Sequence, residues 1–455
     1  MEETKILEES LREIMEQHLA ENQYAKIRTM LQDMNYVDIE NLLADLQPDQ
    51  TLRIFRMLPK ETAAEVFTEM DSDMQQYIIE SITDLEVISI MDELYMDDTV
   101  DFLEEMPANV VKRVLRNTDE ATRKTINQLL RYPEDSAGSL MTTEFVDLKK
   151  EMTAKEALKH IRATGVDKET INTCYVISPQ RKLEGVVSIR TLILSQPDVT
   201  MEELMDTNVK YIRTLDDQET SVYLFQKYDL LSMPVVDGED RLVGIITIDD
   251  IMDVIEQENT EDFHKMAAIT PSEEPYLKTG VFTLAKNRVM WLLVLMISAT
   301  FTGFIIRKFE GALSQTVALT AYIPMLMGTA GNAGAQSSTM IIRSLALNEL
   351  EFSDLLKVIW KELRVGITTA GLLSVFNLVR VMIFDQVSFG VALTVCLSLF
   401  CIVCLAKVVG GMLPILAEKV HLDPVLMASP IITTILDALS LLIYFWFATT
   451  VIGVA

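Results

Sequence analysis

A chain of 455 residues with 67 Asp+Glu against 39 Lys+Arg, formal net charge −28, repels phosphate, which excludes a nucleic-acid binder. The charge is uneven: residues 285–455 hold 11 basic and 9 acidic side chains, leaving 28 and 58 for residues 1–284, so a region of net −30 precedes an apolar one of +2. The acidic opening MEETKILEES lacks the basic start and apolar run of a cleavable signal peptide. Cys174, Cys396, Cys401 and Cys404 read as small buried hydrophobes rather than a disulfide or zinc framework. The acidic region is expected to be soluble and cytoplasmic.

Residues 1–133 carry short amphipathic units of roughly a dozen residues, each closed by a turn signal such as Leu58-Pro59 or Met106-Pro107. This predicts an all-α domain of stacked helices wound into a superhelix, with Met and Leu as core. Asp97 and Asp101, four apart, project to one helix face. Like charges there call for a partner, either a basic residue or a metal ion, and this segment by itself favours the basic residue.

Two α/β units follow, 134–198 and 199–254. Leu140-Met141 aligns with Leu204-Met205, and Gly185 with Gly244. Each unit reads strand, helix, two short Val/Ile-rich strands joined at Pro179-Gln180 or Asp237-Gly238, then helix. The pattern, with its PVVD and LVGIIT core, resembles a tandem pair of CBS domains, modules that bind adenine nucleotides or act as regulatory spacers. Thr247 and Asp250 keep the spacing that resembles the ribose-phosphate end of a CBS nucleotide site, whereas the first unit has Ser188 and Thr191.

Residues 249–284 form a connecting segment that opens with the helix DDIMDVIEQENTEDFH, nearly devoid of basic partners, and is broken at Pro271 and Pro275. A solvated acidic face and a cation-sensitive element both fit it.

Residues 285–455 are expected to hold five membrane spans, roughly 289–306, 315–342, 363–384, 388–413 and 425–452. With the N-terminus inside, Lys286, Arg288, Arg343, Lys357, Lys361, Arg364 and Lys419 are cytoplasmic and only Arg307, Lys308 and Arg380 are not, with Lys407 inside the fourth span. The C-terminus is then outside. The fifth span contains Asp437, a carboxylate that costs several kcal/mol at mid-membrane unless it faces a wet cavity or a bundle interior. Ser429, Thr433, Thr434, Asp437 and Ser440 can share one side of that helix. Asp437 therefore lines a path for a cation or is locked in a helix–helix hydrogen bond. In the second span Gly328, Gly331 and Gly334 allow close backbone approach, while Asn332 and Gln336 put two amides on one face.

Pro324, Gly328, Gly331, Asn332, Gly334 and Gln336, in the pattern P-x-x-x-G-x-x-G-N-x-G-x-Q, together with Asp423, Pro430 and Asp437, resemble the signatures of MgtE magnesium channels. The order of helical domain, CBS pair, acidic helix and five spans is similar to that family along essentially the whole chain. The resemblance implies a homodimer in the plasma membrane, in contact with lipid, importing Mg2+ along its two-fold axis. Paired Asp437 and Asn332 side chains would surround a hydrated ion, and Asp423 would stand near the cytoplasmic mouth. Where the family often has Asn, this chain has Ser429. By the same resemblance, cytosolic Mg2+ bridges the acidic domains and closes the pore through Glu65, Asp97, Asp101, Asp217, Glu219, Asp229, Asp250, Asp253, Glu258, Glu261 and Asp262. ATP or another adenine nucleotide at Thr247 and Asp250 is a further implied ligand. A divalent-cation carrier using the same Asp437, and a nucleotide-regulated membrane sensor, are the rival readings. No P-loop, HExxH or nucleophile constellation is present among only four histidines, which argues against an enzyme.

Overall fold

The computed structural model describes residues 2–44, 46–272 and 276–453, without the side chains of 2–9, 312, 314, 315 and 429. Pro275 and the side chain of Ser429 thus lie outside the described residues. The chain divides into two compact units, Met1–Val254 and Ile255–Ala455.

The first unit begins with ten helices: α1 (Glu2–Ala20), α2 (Tyr24–Leu31), α3 (Tyr36–Leu43), α4 (Pro48–Phe55), α5 (Lys60–Thr68), α6 (Ser72–Ser81), α7 (Asp84–Met91), α8 (Met96–Glu105), α9 (Ala108–Asn117) and α10 (Glu120–Leu129). From α2 onward each starts twelve residues after the last. Helices this short are marginal alone, so caps and packing fix them. Asn35, Asp71, Thr83 and Asp119 accept hydrogen bonds from backbone N–H groups one turn on. From α2 to α10 each helix packs on its second neighbour along the chain. Leu42, Ile54, Val66, Ile78, Ile90, Phe102, Val114 and Ile126, spaced by twelve, are all buried. This is the stacked superhelix that the punctuation of the sequence predicts.

Two three-stranded sheets of identical topology complete the unit. In the first, β1 (Asp147–Leu148) runs parallel to β2 (Thr173–Ile177), which pairs antiparallel with β3 (Leu183–Ser188); α11 (Ala154–Thr164) and α12 (Ile189–Leu194) flank it. After α13 (Met201–Leu204), the second repeats the order with β4 (Ile212–Arg213), α14 (Gln218–Tyr228), β5 (Ser232–Val236) and β6 (Leu242–Thr247). The aligned glycines are needed for a reciprocal exchange. A Cβ on Gly185 would meet Met205 at 2.8 Å, and one on Gly244 would meet Met141 at 2.7 Å. Each repeat's entry segment also bridges the other's hairpin, Thr142 to Ile245 and Asp206 to Val186.

Helix α15 (Ile248–Met266) leads into the second unit, which contains α16 (Val281–Lys308), α17 (Glu310–Gln315), α18 (Ile323–Ala346), α19 (Leu355–Arg380), α20 (Phe389–Lys419) and α21 (Ser429–Phe447). Among the described residues four segments are long and apolar enough to cross a membrane: Val281–Lys308, Phe352–Asp385, Phe389–Lys419 and Pro424–Ile452. The fifth expected span, 315–342, differs in two respects. Its helix begins only at Ile323, after a 3-10 segment at Val317–Tyr322. At 24 residues α18 is long enough, but its run of Gly, Asn, Gln, Ser and Thr takes it out of the apolar class. Helix α20 is the hub, packing on α18, α19 and α21 around Val395, Leu399, Ile402, Leu436 and Phe445. Helix α16 has no buried residue. All four cysteines are free.

Candidate metal-ion sites

In the second unit α18 and α21 meet through glycine. A Cβ on Gly331 would lie 2.7 Å from Thr433 Cγ2, and one on Gly334 would overlap Leu436 and Ile432. Gly410 of α20 faces the Gly334 carbonyl just as tightly. The space left by the missing side chains is therefore what seats α21 against α18. Gly328 departs from its expected packing role, because nothing lies within 4 Å of the position a Cβ would take.

This seam puts Thr433, one turn before Asp437, on Gly331, the neighbour of Asn332. Asn332 is exposed on the unit and Asp437 is half-buried. Among the described residues the Asp437 carboxylate has no hydrogen bond or ion pair. No helix–helix hydrogen bond among these residues locks it, so a carboxylate in an apolar helix keeps acceptor capacity. The polar stripe around it is thinner than its sequence suggests. Thr433 and Thr434 both donate to the Pro430 carbonyl, at 2.9 and 3.0 Å, and Ser440 is buried. Pro430 and Pro324 sit in the first turns of α21 and α18, where a missing N–H costs nothing. Gln336 is exposed beside Asn332, but its Oε1 accepts from Lys407 Nζ at 2.9 Å.

Asp423 caps the turn Pro424–Met427, accepting from the Val425 N–H at 2.8 Å. It also accepts from Lys265 Nζ at 2.9 Å, and the same ammonium reaches Glu261 at 3.0 Å. Burial pulls the Lys265 pKa down, but the hydrogen bonds to Asp423 and Glu261 outweigh it and the net shift is upward. Burial and the Asp423 charge push Asp262 up to about 6. The acidic helix thus has a basic partner after all, at its very end. Glu258 is half-buried on the same helix.

The first unit holds the densest group of acids. Asp97, 6% exposed, and Asp98 and Asp101 lie on α8; Asp249, Asp250 and Asp253 open α15. Burial first and Asp250 second raise Asp98 to about 6, Asp101 to about 7 and Glu169 to about 8, and raise Asp97 well above the ordinary carboxylate range. Asp250 itself is at about 6 through burial, opposed by hydrogen bonds from the Thr247 hydroxyl, at 2.6 Å, and its N–H. Glu69 is raised by burial and by Asp253. The Tyr36 hydroxyl is raised by burial and then by Glu69, Glu65, Asp249 and Asp98, which places Glu65 at the rim. Among the described residues no basic side chain pairs with Asp97 or Asp101, so the basic partner favoured for that helix is not there. Among the described residues no three His, Cys, Asp or Glu side chains converge tightly enough to hold a bare ion.

Other expected sensing residues are not gathered here. Asp217 caps the start of α14, accepting from the Glu219 N–H at 2.9 Å, whereas Asp229 ends that helix in a left-handed conformation. The helix between them holds them about 18 Å apart, twelve residues at about 1.5 Å each. Sequence reasoning passed over Glu169, Lys265, Glu362 and Lys407. Lys407 carried a usable signal, a lone cation inside an apolar run, and Lys265 stands four residues after Glu261 on one helix; Glu169 and Glu362 are legible only once long-range packing is known.

Comparison with known proteins follows the same plan. The model for the MgtE intracellular N domain matches residues 34–135, that for CBS domains matches 137–197 and 201–257, and that for MgtE, described as a divalent cation transporter, matches 323–447. A magnesium transporter MgtE from Thermus thermophilus is 37% identical over 442 residues, covering 96% of this chain and 98% of that protein. The chain belongs to the MgtE family. The Bacillus subtilis MgtE, also a magnesium transporter, is 33% identical, over 94% of this chain and 97% of its own length. Among solved structures, the cytosolic domain of the Mg2+ channel MgtE in complex with ATP is 35% identical, with a TM-score of 0.51, over 52% of this chain and 98% of that one. The soluble part of a magnesium transporter is 26% identical at the same TM-score, over 55% and 99%. MgtE is thus a family of membrane transporters with a helical N domain, a CBS pair and an apolar helical C-terminal domain, and this chain has all three.

Proposed function

We propose that this protein is a Mg2+-selective channel of the plasma membrane, acting as a homodimer, that imports Mg2+ and is closed when cytosolic Mg2+ binds its acidic domains. The observation that carries the proposal is Asp437, a carboxylate with no partner among the described residues, on an apolar helix that the Gly331–Thr433 contact packs against α18, the helix of Asn332. Mg2+ dehydrates reluctantly and is held through water by one or two carboxylates. Two symmetry-related Asp437 side chains would supply that, with the N-terminal unit inside and the C-terminus outside.

Closure follows from the acids. Asp97, Asp101 and Glu169 are each repelled by the charge of Asp250, and a divalent ion or protons would relieve that repulsion. Each ion shifts the closed–open balance only by its difference in affinity for the two states. Glu65, Asp253, Glu258, Glu261, Asp262 and Asp423 would contribute along α15 and at the mouth. Asp217, Glu219 and Asp229 would need a second subunit to form a site. An adenine nucleotide such as ATP at the CBS pair has Thr247 and Asp250 as its candidate contacts, though these two now bond each other.

The test is Mg2+ uptake by liposomes holding the purified protein, with Asp437→Ala beside the parent. Uptake is expected in the parent and lost in the variant; equal uptake sinks the pore assignment. Single-channel currents at low Mg2+ distinguish a channel from a carrier with the same site.

A further inference from the structure

A second ionic arrangement lies in the membrane unit, and conduction through Asp437 does not use it. Lys407 of α20 is 7% exposed, an ammonium enclosed by apolar helices. Such burial costs several kcal/mol unless the charge is balanced and hydrogen-bonded. Its hydrogen bond goes to a neutral oxygen, Gln336 Oε1, at 2.9 Å. Glu362 of α19 offsets part of that cost at longer range, without a direct ion pair among the described residues. The Glu362 carboxylate in turn accepts from the Ser337 hydroxyl at 2.6 Å. Adjacent residues of α18 thus hold one ion each, from two different helices. Glycines make the room: a Cβ on Gly411 would lie 2.9 Å from Glu362 Cγ, and one on Gly366 would lie 3.1 Å from Cys404 Cα.

The consequence concerns Gln336, which is exposed on the same face as Asn332 one turn away. An amide oxygen bonded to an ammonium keeps a second lone pair, but the positive charge beside it repels a cation and leaves the NH2 group as the other face of the amide. We propose that Lys407 is a specificity-determining residue of the ion path: it withholds the Gln336 oxygen and balances Glu362, so that a hydrated ion meets one uncompensated carboxylate, Asp437. The proposal rests on the conduction reading above. Without the ammonium, the Glu362 carboxylate, the Gln336 oxygen and the Ser337 hydroxyl form a second oxygen-rich station. Ca2+, which takes six to eight oxygens in flexible geometry, gains more from such a station than Mg2+, which keeps its water.

The experiment measures Mg2+ and Ca2+ uptake in parallel by liposomes holding the full-length protein. Lys407→Met is expected to lower the Mg2+/Ca2+ uptake ratio about tenfold, the equivalent of about 1.4 kcal/mol. Lys407→Arg keeps the charge and the parent ratio, and Glu362→Gln added to Lys407→Met brings the ratio back toward the parent. A merely structural lysine would lower both fluxes together and leave the ratio unchanged, and that result overturns the proposal. Should Lys407→Met not assemble, Lys407→Gln drops the charge while keeping a donor for Gln336, and an unchanged ratio there overturns it equally. Failure of the conduction reading is separately visible, as absent parent uptake or as uptake that survives Asp437→Ala.

Discussion

The two units handle negative charge in opposite ways. In the first, Asp97, Asp98, Asp101, Glu169 and Asp250 crowd together with no base among them, and their carboxyls shift upward in response. In the second, several charges within the helices each have a partner. Glu362 has Ser337, Asp385 has Tyr322 and Arg380, Asp423 has Lys265, and Lys407 has Gln336. Asp437 is an exception, with no partner among the described residues. Water and counter-ions can absorb a surplus of charge at an aqueous surface, whereas hydrocarbon cannot. On the proposed function, crowded acids would make a sensor whose shape depends on ions, and a solitary acid would make a station that ions pass.

The sharpest way to break this contrast is at the exception. Asp437→Ala is expected to reduce Mg2+ flux at least about a hundredfold, about 2.7 kcal/mol, with the protein still folded by circular dichroism; retained flux would make Asp437 an ordinary buried acid. The glycine seam comes next. Gly334→Ala overfills the contact with Leu436 and should cost about 1–3 kcal/mol, whereas Gly328→Ala, with open space around it, should stay within about 0.5 kcal/mol. Thermal unfolding in detergent of the two variants side by side would sharpen the assignment of which glycines pack, and equal melting temperatures would refute it. On the sensing side, Asp250→Asn with Asp253→Asn should raise the Mg2+ needed for half-closure about tenfold, about 1.4 kcal/mol of coupling. Closure at the parent concentration would make both acids bystanders.

The smallest effect is the pH dependence. The crowded carboxyls keep protons in the native fold up to pH values of about 6 to 8, whereas in the unfolded chain they titrate at about 4. The native state therefore binds more protons in that window, and stability falls as pH rises through it. Melting temperatures in EDTA should drop by a few degrees from pH 6 to pH 8, and Mg2+ should flatten the slope. A flat profile in EDTA would show that the acids are not crowded in solution.

Much of this was legible in the sequence because punctuation is local. Prolines and N-caps mark the ends of the short helices, and paired glycines and methionines mark the CBS repeat. The late start of α18 was not legible, because Val317–Tyr322 is as apolar as a span and only its tight 3-10 path distinguishes it. Partners far apart along the chain were equally hidden. Lys265 and Asp423, or Gln336 and Lys407, meet only after helices have packed. Spacing put Asp97 and Asp101 on one face, but only packing shuts Asp97 off from solvent.

The even cadence of α2 to α10 has a consequence for how this protein tolerates changes in length. Because buried positions recur every twelve residues, excising one whole rung leaves all later rungs in phase, and the shortened ladder can close up and still bury its stripe. Excising half a rung turns each following stripe toward water, so chain length in this region is quantised, and insertions or deletions should be survivable only in whole multiples of the rung.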